Sequence, residues 1–522
     1  MNLDRMRRHT GTVDAVVIGT GAGGAPLLAR LAAAGRSVVA LEAGPHFDPR
    51  SFPADEVTAA PIYWLGERLS AGQTPEAFGG NTSGTGVGGS TLHWGAFCPR
   101  PDPRDLLLHT TTGTGHDWPI PHAELIRYIQ RVEADIGVSG PSSYPWDPSR
   151  RYPHPPIALN APARAMQAGC AALGVQTAVA PVAAVSRDVA APVNGSRQAC
   201  VNCGHCHQGC RIGAKTSMDV TYLPAAVAAG AEIRPGCFAH TIERDTAGRV
   251  SAVVYRDAAG RDRKQRCKAV ILCAGAVETP RLLLHLGLAN SSLQVGRNYM
   301  AHVATQLWGT FASEMRCYKG YPSSLITEDM LRPADADFAG GYLVQSLGVL
   351  PVTWATQMTR GRKLWGQGLV DYIARYNHVA GIGINGECLP APGNYLELSD
   401  EVDATGLPKP RVHFSYGANE TAMNDHAVRF MTAVWEAAGA TDIWACPRSA
   451  HTLGTCRMGT DPGQAVVDPT GRSFDVPNLW ICDSSVFPSS LPANPAVTIM
   501  ALSLRTADAF LENADVHRMP AS

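Results

Sequence analysis

The sequence predicts an α/β fold (α+β overall) in which a Rossmann-like nucleotide-binding domain is joined to a sheet-rich second domain. Two observations support this class. A complete strand–turn–helix–strand unit lies near the start of the chain, and residues 303–444 alternate aromatic and β-branched residues without a nucleotide-binding motif. The chain has 522 residues, which corresponds to about three domain-sized units and is enough to bury a substantial core.

The nucleotide-binding unit is built from short apolar elements. Residues 14–18 predict a buried strand, residues 26–34 a helix, and residues 37–41 a second strand. A glycine-rich turn joins the first strand to the helix. This order of elements is typical of dinucleotide-binding domains.

Four residues of this unit have specific physical roles. Gly19 permits the tight turn, Gly21 lets the backbone approach a pyrophosphate, and Gly24 lets the helix pack closely on the strand. The helix N-terminus offers unpaired N–H groups and a positive dipole end to the phosphates. Glu42 is placed to accept hydrogen bonds from an adenosine ribose, and its charge disfavours a 2′-phosphate. FAD and NAD both fit this unit, whereas NADP fits poorly.

A second glycine-rich stretch, residues 79–95, leads into an aromatic pair that begins at His93. Residues 101–199 are rich in proline, and residues 122–136 predict the one helix that we expect there.

The later part of the chain returns to short strands and helices. Strands are predicted at residues 252–255 and 269–273, followed by a small-residue turn at residues 274–276 and a helix over residues 280–286. Residues 478–510 again read as strand, turn and helix.

Composition excludes several classes of protein. Forty-four Lys and Arg residues balance 45 Asp and Glu residues, so the chain lacks the basic excess that nucleic acids or anionic membranes require. The N-terminus has no apolar signal-peptide core, and no apolar run reaches the roughly 18 residues that span a bilayer. We expect a cytoplasmic protein without membrane insertion of its own; the alternative is a periplasmic protein exported in complex with a signal-bearing partner.

Four of the 14 cysteines, Cys200, Cys203, Cys206 and Cys210, lie within eleven residues. Clustered thiols in a chain without an export signal indicate metal or redox ligands rather than disulfides. Their ferredoxin-like spacing predicts an iron–sulfur cluster, although Arg211 stands where ferredoxins have proline and the fourth ferredoxin cysteine serves a second cluster. A zinc site is less favoured because no loop of about 12–20 residues separates the cysteine pairs. Structural thiols and another metal stay open as alternatives.

Five motifs, in order along the chain, resemble those of the glucose–methanol–choline (GMC) oxidoreductases. The motifs are Val87-Gly88-Gly89-Ser90, residues 273–284, residues 296–302, residues 451–459, and residues 478–488 with 494–498. The resemblance spans roughly residues 12–515 and is far more specific than any one motif. It implies a two-domain flavoenzyme that oxidises an alcohol to a carbonyl by passing hydride to FAD.

We accordingly predict the GMC architecture for the whole chain. Residues 12–100, 200–302 and 445–516 would form a discontinuous FAD-binding domain that includes the cysteine-rich segment. Residues 101–199 and 303–444 would form the substrate-binding domain.

The resemblance also implies the site residues. The ADP half would lie on the glycine fingerprint, which consists of Gly19, Gly21 and Gly24. The isoalloxazine ring would lie against residues 87–90 and 495–496, and the ribityl–pyrophosphate region would lie near Asp483. The cofactor-binding residues implied are Gly19, Gly21, Gly24, Glu42, Val87, Gly88, Gly89, Ser90, His93, Asp483, Pro495 and Ala496. His451 matches the catalytic histidine of the family, and Asn494 matches its second active-site position.

The chemistry of these two residues fits alcohol oxidation independently of the resemblance. A group must take the hydroxyl proton while hydride leaves carbon, and histidine titrates in the right range. The amide of Asn494 can hold the substrate oxygen and does not titrate. His451 as base and Asn494 as orienting group are therefore the simplest assignment.

Several functions stay open at this point. The leading hypothesis is an FAD-dependent dehydrogenase that passes electrons through the cluster to an external acceptor, such as a cytochrome, with a small subunit as a further partner. The alternatives are a GMC oxidase that reduces O₂ to H₂O₂, an iron–sulfur binding protein with a vestigial nucleotide domain, and an NAD-dependent dehydrogenase. The substrate is an alcohol of unspecified type, such as a sugar or a polyol.

Overall fold

The computed structural model describes residue 3 and residues 6–78, 83–190 and 196–513. The first residues of the predicted second glycine-rich stretch, 79–82, lie outside the described residues. The same holds for residues 514–516 of the predicted FAD-binding domain.

The described residues form helices and strands along the whole chain. The helices are α1 (Gly24–Ala33), α2 (Leu108–Thr112), α3 (His122–Ile136), α4 (Ala161–Ala172), α5 (Tyr222–Ala228), α6 (Gly275–Leu286), α7 (Pro351–Gln357), α8 (Gly366–Ile373), α9 (Ala418–Ala437) and α10 (Ala496–Glu512). The strands are β1 (Ala15–Ile18), β2 (Val38–Leu41), β3 (Leu69–Ala71), β4 (Ala178–Val179), β5 (Glu232–Arg234), β6 (Phe238–Arg244), β7 (Val250–Arg256), β8 (Asp262–Arg266), β9 (Val270–Leu272), β10 (Arg297–Val303), β11 (Gln306–Thr310), β12 (Leu325–Thr327), β13 (Tyr342–Leu347), β14 (Val379–Gly386), β15 (Tyr395–Val402), β16 (Pro408–His413), β17 (Thr441–Cys446), β18 (Ser449–Thr455) and β19 (Leu479–Ile481).

A parallel five-stranded sheet has the order β19-β9-β1-β2-β5. Its central strands are continuous apolar runs, such as AVVI in β1, because a parallel sheet buries both faces. β1 has β2 on one side and β9 on the other, so the loops that follow β1 and β9 open a crevice at the carboxyl edge of the sheet. The predicted Rossmann-like unit is present.

A mixed sheet of eleven strands forms the second layer, and its strands are mostly antiparallel. One face of this sheet is covered by α4 and α9. Val344 on β13 and Ile382 on β14 pack there with Met423 and other α9 residues. Because side chains alternate along a strand, the neighbouring positions of β11, β13 and β14 face the opposite side. A smaller antiparallel sheet contains β6, β7 and β8.

Strands of the two large sheets alternate along the sequence. β3, β10 and β18 lie in the ranges predicted for the FAD-binding domain, yet they pair within the eleven-stranded sheet. The domain boundaries therefore stay a prediction. No helix in the described part of the chain is both long and apolar enough to cross a bilayer.

The predicted helix over residues 280–286 is longer than expected. It begins at Gly275, so residues 275–276 of the predicted turn are its first residues and Pro280 lies inside it. A proline within a helix frees the carbonyl four residues earlier, here that of Ala276. The Thr455 hydroxyl donates to that carbonyl at 2.9 Å, which explains why the helix tolerates the proline.

Helices are also more numerous than the sequence predicted. The helix over residues 122–136 is confirmed, but α2 and α4 lie in the same region, and the 20-residue α9 lies in the predicted sheet-rich one. A start signal for α4 is present in the sequence, because Asn160 caps its N-terminus by accepting from the Ala163 N–H at 2.9 Å.

Candidate active site

A cavity of about 430 Å³ lies between the carboxyl edge of the parallel sheet and the face of the mixed sheet opposite α4 and α9. This volume is in the usual range for a cofactor or ligand pocket. The predicted site residues that line it are Gly19, Gly21, Glu42, Gly89, Ser90, His93, His451, Asp483, Asn494, Pro495 and Ala496. Gly24, Val87 and Gly88 lie behind this lining.

The glycine fingerprint brings three backbone segments together. Gly19 has a φ of +101°, which only glycine adopts readily. A β-carbon on Gly24 would overlap the Gly19 carbonyl, and a β-carbon on Gly89 would lie 2.7 Å from the Gly21 α-carbon. The second glycine-rich stretch therefore packs directly on the first, and a side chain at these positions would fill the cradle that a pyrophosphate needs.

Gly23 is a further requirement that the sequence analysis missed. A β-carbon there would overlap the Cys482 carbonyl oxygen at the end of β19. The Ser503 hydroxyl on α10 also donates to the Gly23 carbonyl at 2.5 Å and accepts from the Leu27 N–H at 2.9 Å. The C-terminal elements thus close against the first helix of the nucleotide-binding unit.

Glu42 connects the loops around the cradle. One carboxylate oxygen accepts from the Thr20 N–H at 3.1 Å and the Thr20 hydroxyl at 2.7 Å. The other accepts from the N–H groups of Gly44 at 3.0 Å and Gly86 at 3.3 Å. Burial raises the pKa of this carboxyl above its ordinary value. A ribose hydroxyl would have to share an oxygen with these donors.

Asp483 fixes the loop after β19 to the start of α6. Its carboxylate accepts from the Gly275 N–H at 2.9 Å, the Thr279 hydroxyl at 2.6 Å and the Ser485 N–H at 2.8 Å. The N-termini of α1, α6 and α10 all border the cavity. Helix N-termini favour phosphate groups because of their free N–H groups and dipoles. The residues present therefore fit the phosphates of a dinucleotide such as FAD.

His451 and Asn494 meet at the wall opposite this cradle. The Nε2 atom of His451 lies 3.5 Å from the Asn494 amide nitrogen, and the Asn494 oxygen accepts from the Asn385 amide at 2.9 Å. His451 has a φ of +60°, an unusual conformation for a residue with a side chain. Such strain often marks functional positions, and here it aims the imidazole into the cavity.

His302 on β10 determines which ring nitrogen of His451 carries the proton. His302 Nε2 lies 2.6 Å from the Leu491 carbonyl and 3.1 Å from the Ser490 carbonyl, so this nitrogen must carry a proton. Burial lowers the pKa of His302 to about 4, so the ring is neutral near pH 7 and its Nδ1 is an acceptor.

The consequence for His451 follows from one contact. His302 Nδ1 lies 2.9 Å from His451 Nδ1, so His451 Nδ1 donates the proton and His451 Nε2 keeps a lone pair. Burial, helped by the charge of Arg448, holds the pKa of His451 well below its ordinary value. The cavity therefore contains a neutral imidazole nitrogen that can accept a proton beside an amide that can hold an oxygen.

His302 was not predicted as a site residue, although it ends the quoted motif over residues 296–302. Another predicted residue, His93, is buried with an unpartnered Nε2, and burial lowers its pKa to about 3. Its ring centroid lies 4.8 Å from that of Tyr63, and it lines the large cavity, so its role in cofactor binding stays a prediction.

The four clustered cysteines line one small cavity of their own. Their thiols are free, and Cys206 is buried whereas Cys203 is exposed. The Lys215 ammonium is buried beside them and donates to the carbonyls of Cys206 at 2.6 Å and Leu92 at 2.8 Å. Within the described ranges, no group of three or more His, Cys, Asp or Glu side chains is arranged to hold a metal ion. The donor types fit an iron–sulfur cluster, and the cluster stays a prediction.

The fold and the site together are typical of a class of protein: the oxidoreductases that bind a dinucleotide such as FAD. Residues 69–304 and 390–503 match family models described as GMC oxidoreductase. The chain belongs to the GMC oxidoreductase family, which confirms the resemblance found in its motifs.

Individual relatives cover nearly the whole chain. The fructose dehydrogenase large subunit of Gluconobacter japonicus is 30% identical over 97% of this chain and 99% of its own length. The 2-methyl-1,2-propanediol dehydrogenase of Mycolicibacterium austroafricanum is 28% identical over 95% of this chain and 94% of its own. Formate oxidase from Aspergillus oryzae RIB40 has a similar fold, with a TM-score of 0.71, 14% identity, and coverage of 98% of this chain and 100% of its own.

Proposed function

We propose that the protein is an FAD-dependent dehydrogenase that oxidises an alcohol group of a sugar, polyol or similar molecule to a carbonyl. Two hydrogen bonds carry this proposal: His451 Nδ1 donates to His302, and His302 Nε2 donates to the Leu491 carbonyl. They leave a lone pair on His451 Nε2, which lies 3.5 Å from the Asn494 amide nitrogen and can accept a proton. The family and the names of the two dehydrogenase relatives support it.

FAD, when bound, would supply the acceptor for the hydride from the alcohol carbon. The C–H bond breaks with its electron pair, the O–H proton moves to His451 Nε2, and the carbon–oxygen double bond forms. Asn494 orients the substrate oxygen through its amide N–H, and Asn385 fixes that amide by donating to its oxygen. His302 is fully buried, and its hydrogen bond with His451 keeps His451 in the tautomer that can accept the proton.

The experiment is anaerobic reduction of the flavin by a panel of alcohols and sugars, followed by its absorbance. An alcohol that bleaches the flavin supports the proposal, and release of a nicotinamide cofactor from the purified protein would contradict it. Asn494→Ala should raise KM and lower kcat, because the substrate oxygen loses its orienting donor. Rapid, stoichiometric peroxide formation in air would favour the second candidate, a GMC oxidase.

We further propose that electrons leave through an iron–sulfur cluster held by Cys200, Cys203, Cys206 and Cys210. Such a cluster supplies transfer of one electron at a time, which suits a cytochrome acceptor. Two observations support the position: the four cysteines line one small cavity, and His207, next to Cys206 in the chain, lines the large cavity. The name of the Gluconobacter relative, a large subunit, supports a partner subunit.

Iron and acid-labile sulfide assays on protein prepared without oxygen test the cluster. Replacing Cys203 and Cys206 together with serine should leave substrate-driven flavin reduction intact and abolish turnover with a cytochrome. Wild-type protein that contains flavin and no iron would refute the cluster.

A further inference from the structure

A row of polar groups lines the substrate side of the large cavity, on the face of the mixed sheet opposite α4 and α9. Gln306 on β11 and Gln345 on β13 are both in register with Gly383 on β14, so the three residues form a line across adjacent strands. A β-carbon on Gly383 would lie 3.3 Å from Gln306 Cγ and 2.9 Å from Leu347 Cδ1. The absence of a side chain at Gly383 therefore lets Gln306 and Leu347 pack closely over this strand.

Three carboxamide oxygens of residues that line the cavity lack hydrogen-bond partners. The side-chain oxygens of Gln306, Gln345 and Gln357 are buried and accept no hydrogen bond in the described part of the protein. Gln306 and Gln357 are 7% and 6% exposed, and all three line the cavity. Buried polar atoms without partners are costly, so their convergence on one cavity indicates a ligand that supplies several hydroxyl groups.

A cation lies at the same wall. Arg448 lines the cavity, three residues before His451, and its charge acts on both His451 and His207. Its guanidinium forms no hydrogen bond or ion pair with the residues that the structure describes. The Arg448 side chain is half-buried, and this burial lowers the pKa of its guanidinium from the ordinary value.

Glu76 does not neutralise this cation. It interacts with Arg448 electrostatically without an ion pair, and its carboxylate accepts from the Ser449 hydroxyl at 2.8 Å instead. Burial also raises the pKa of Glu76 to about 7, so a large part of this carboxyl is protonated near neutral pH. Glu76 is not part of the cavity lining.

We propose that the cavity takes a polyhydroxy carboxylate, of the aldonate or uronate type, with the carboxylate on Arg448 and the hydroxyls on Gln306, Gln345 and Gln357. A guanidinium binds a carboxylate in bidentate fashion, and each carboxamide oxygen accepts from a hydroxyl. Because the proposal names the substrate class of the same site, it rests on the proposed alcohol oxidation.

The test compares acid and alcohol of the same carbon skeleton: D-gluconate with D-glucitol, and D-galactonate with galactitol, at constant ionic strength. Wild-type protein should show a higher kcat/KM for flavin reduction by the aldonate of a pair. Arg448→Met should lower the aldonate-to-alditol ratio at least about tenfold, because it removes the charge that pairs with the carboxylate. Arg448→Lys should keep part of the preference. Arg127→Met, which removes an exposed cation from α3, is the matched control and should leave the ratio unchanged.

Thermal unfolding provides a readout that does not depend on turnover. Aldonates should raise the Tm of the wild type and of Arg127→Met, and should raise that of Arg448→Met much less. If alditols reduce the flavin better than aldonates, or if Arg448→Met leaves the ratio and the Tm shifts unchanged, this inference is wrong and the proposed function stands. If no alcohol of any kind reduces the flavin, the proposed function fails, and the Tm shifts still decide whether carboxylates bind at Arg448.

Discussion

Replacing His302 tests whether this residue, which does not touch the substrate, sets the tautomer of the base His451. In His302→Leu, His451 Nδ1 loses the acceptor that lies 2.9 Å away. A buried donor without a partner costs about 1–3 kcal/mol, so the proton shifts towards Nε2 and blocks the lone pair. Since each ~1.4 kcal/mol is tenfold in rate, flavin reduction should slow by about 5- to 150-fold. Substrate affinity should change little, because Asn494 keeps its contact with Asn385.

The matched variant is His302→Asn, whose side-chain oxygen can accept from His451 Nδ1. Both variants remove the same buried ring, so both should lower the Tm, but His302→Asn should keep most of the rate. The assay is anaerobic stopped-flow bleaching of the flavin at saturating substrate, with the rate followed against pH. Equal rates in the two variants would refute the tautomer argument, whether both are fast or both are slow.

Three further perturbations have defined outcomes. His451→Ala should slow flavin reduction by ~10²–10⁴-fold, the usual contribution of a positioned base, and an unchanged rate would require another base. Gly23→Ala should destabilise the protein by about 1–3 kcal/mol and lower its flavin content, because the new methyl group overlaps the Cys482 carbonyl. The control is Gly393→Ala, whose methyl group meets open space and which should retain flavin. Burial raises the pKa of Glu387 to about 8, so this carboxyl favours folding while protonated and the benefit is lost as pH rises through that value. Glu387→Gln should therefore raise the Tm more at pH 9 than at pH 5, and a difference independent of pH would contradict the assignment.

The sequence predicted the parts of the fold that depend on local pattern. Gly19, Gly21 and Gly24 lie at a strand–turn–helix junction, and their fixed spacing predicts a turn that binds a dinucleotide. His451 and Asn494, 43 residues apart, were paired through motifs and do meet at 3.5 Å.

The contacts that the sequence could not predict depend on pairing between strands that are distant in the chain. His302 reaches His451 because β10 and β18 are neighbours in the mixed sheet, and the register of that pair contains an irregularity at residues 301–302. Gln306 and Gln345 become neighbours only through Gly383 on the strand between them. Local periodicity predicts each strand, but the order and register of strands are set by packing across the whole sheet.

The contact between Gly23 and the C-terminal elements has a consequence for biosynthesis. The cofactor cradle is complete only when β19 lies beside β9 and the Ser503 hydroxyl bonds to the Gly23 carbonyl. A ribosome-bound chain that has emerged only as far as residue 450 lacks both features, although it already contains the whole glycine fingerprint. Domains generally fold in order of synthesis, but this one must wait for nearly the entire polypeptide. We therefore expect tight FAD binding only after residues up to Ser503 have been synthesised, and until then β9 is an unpaired edge of the parallel sheet.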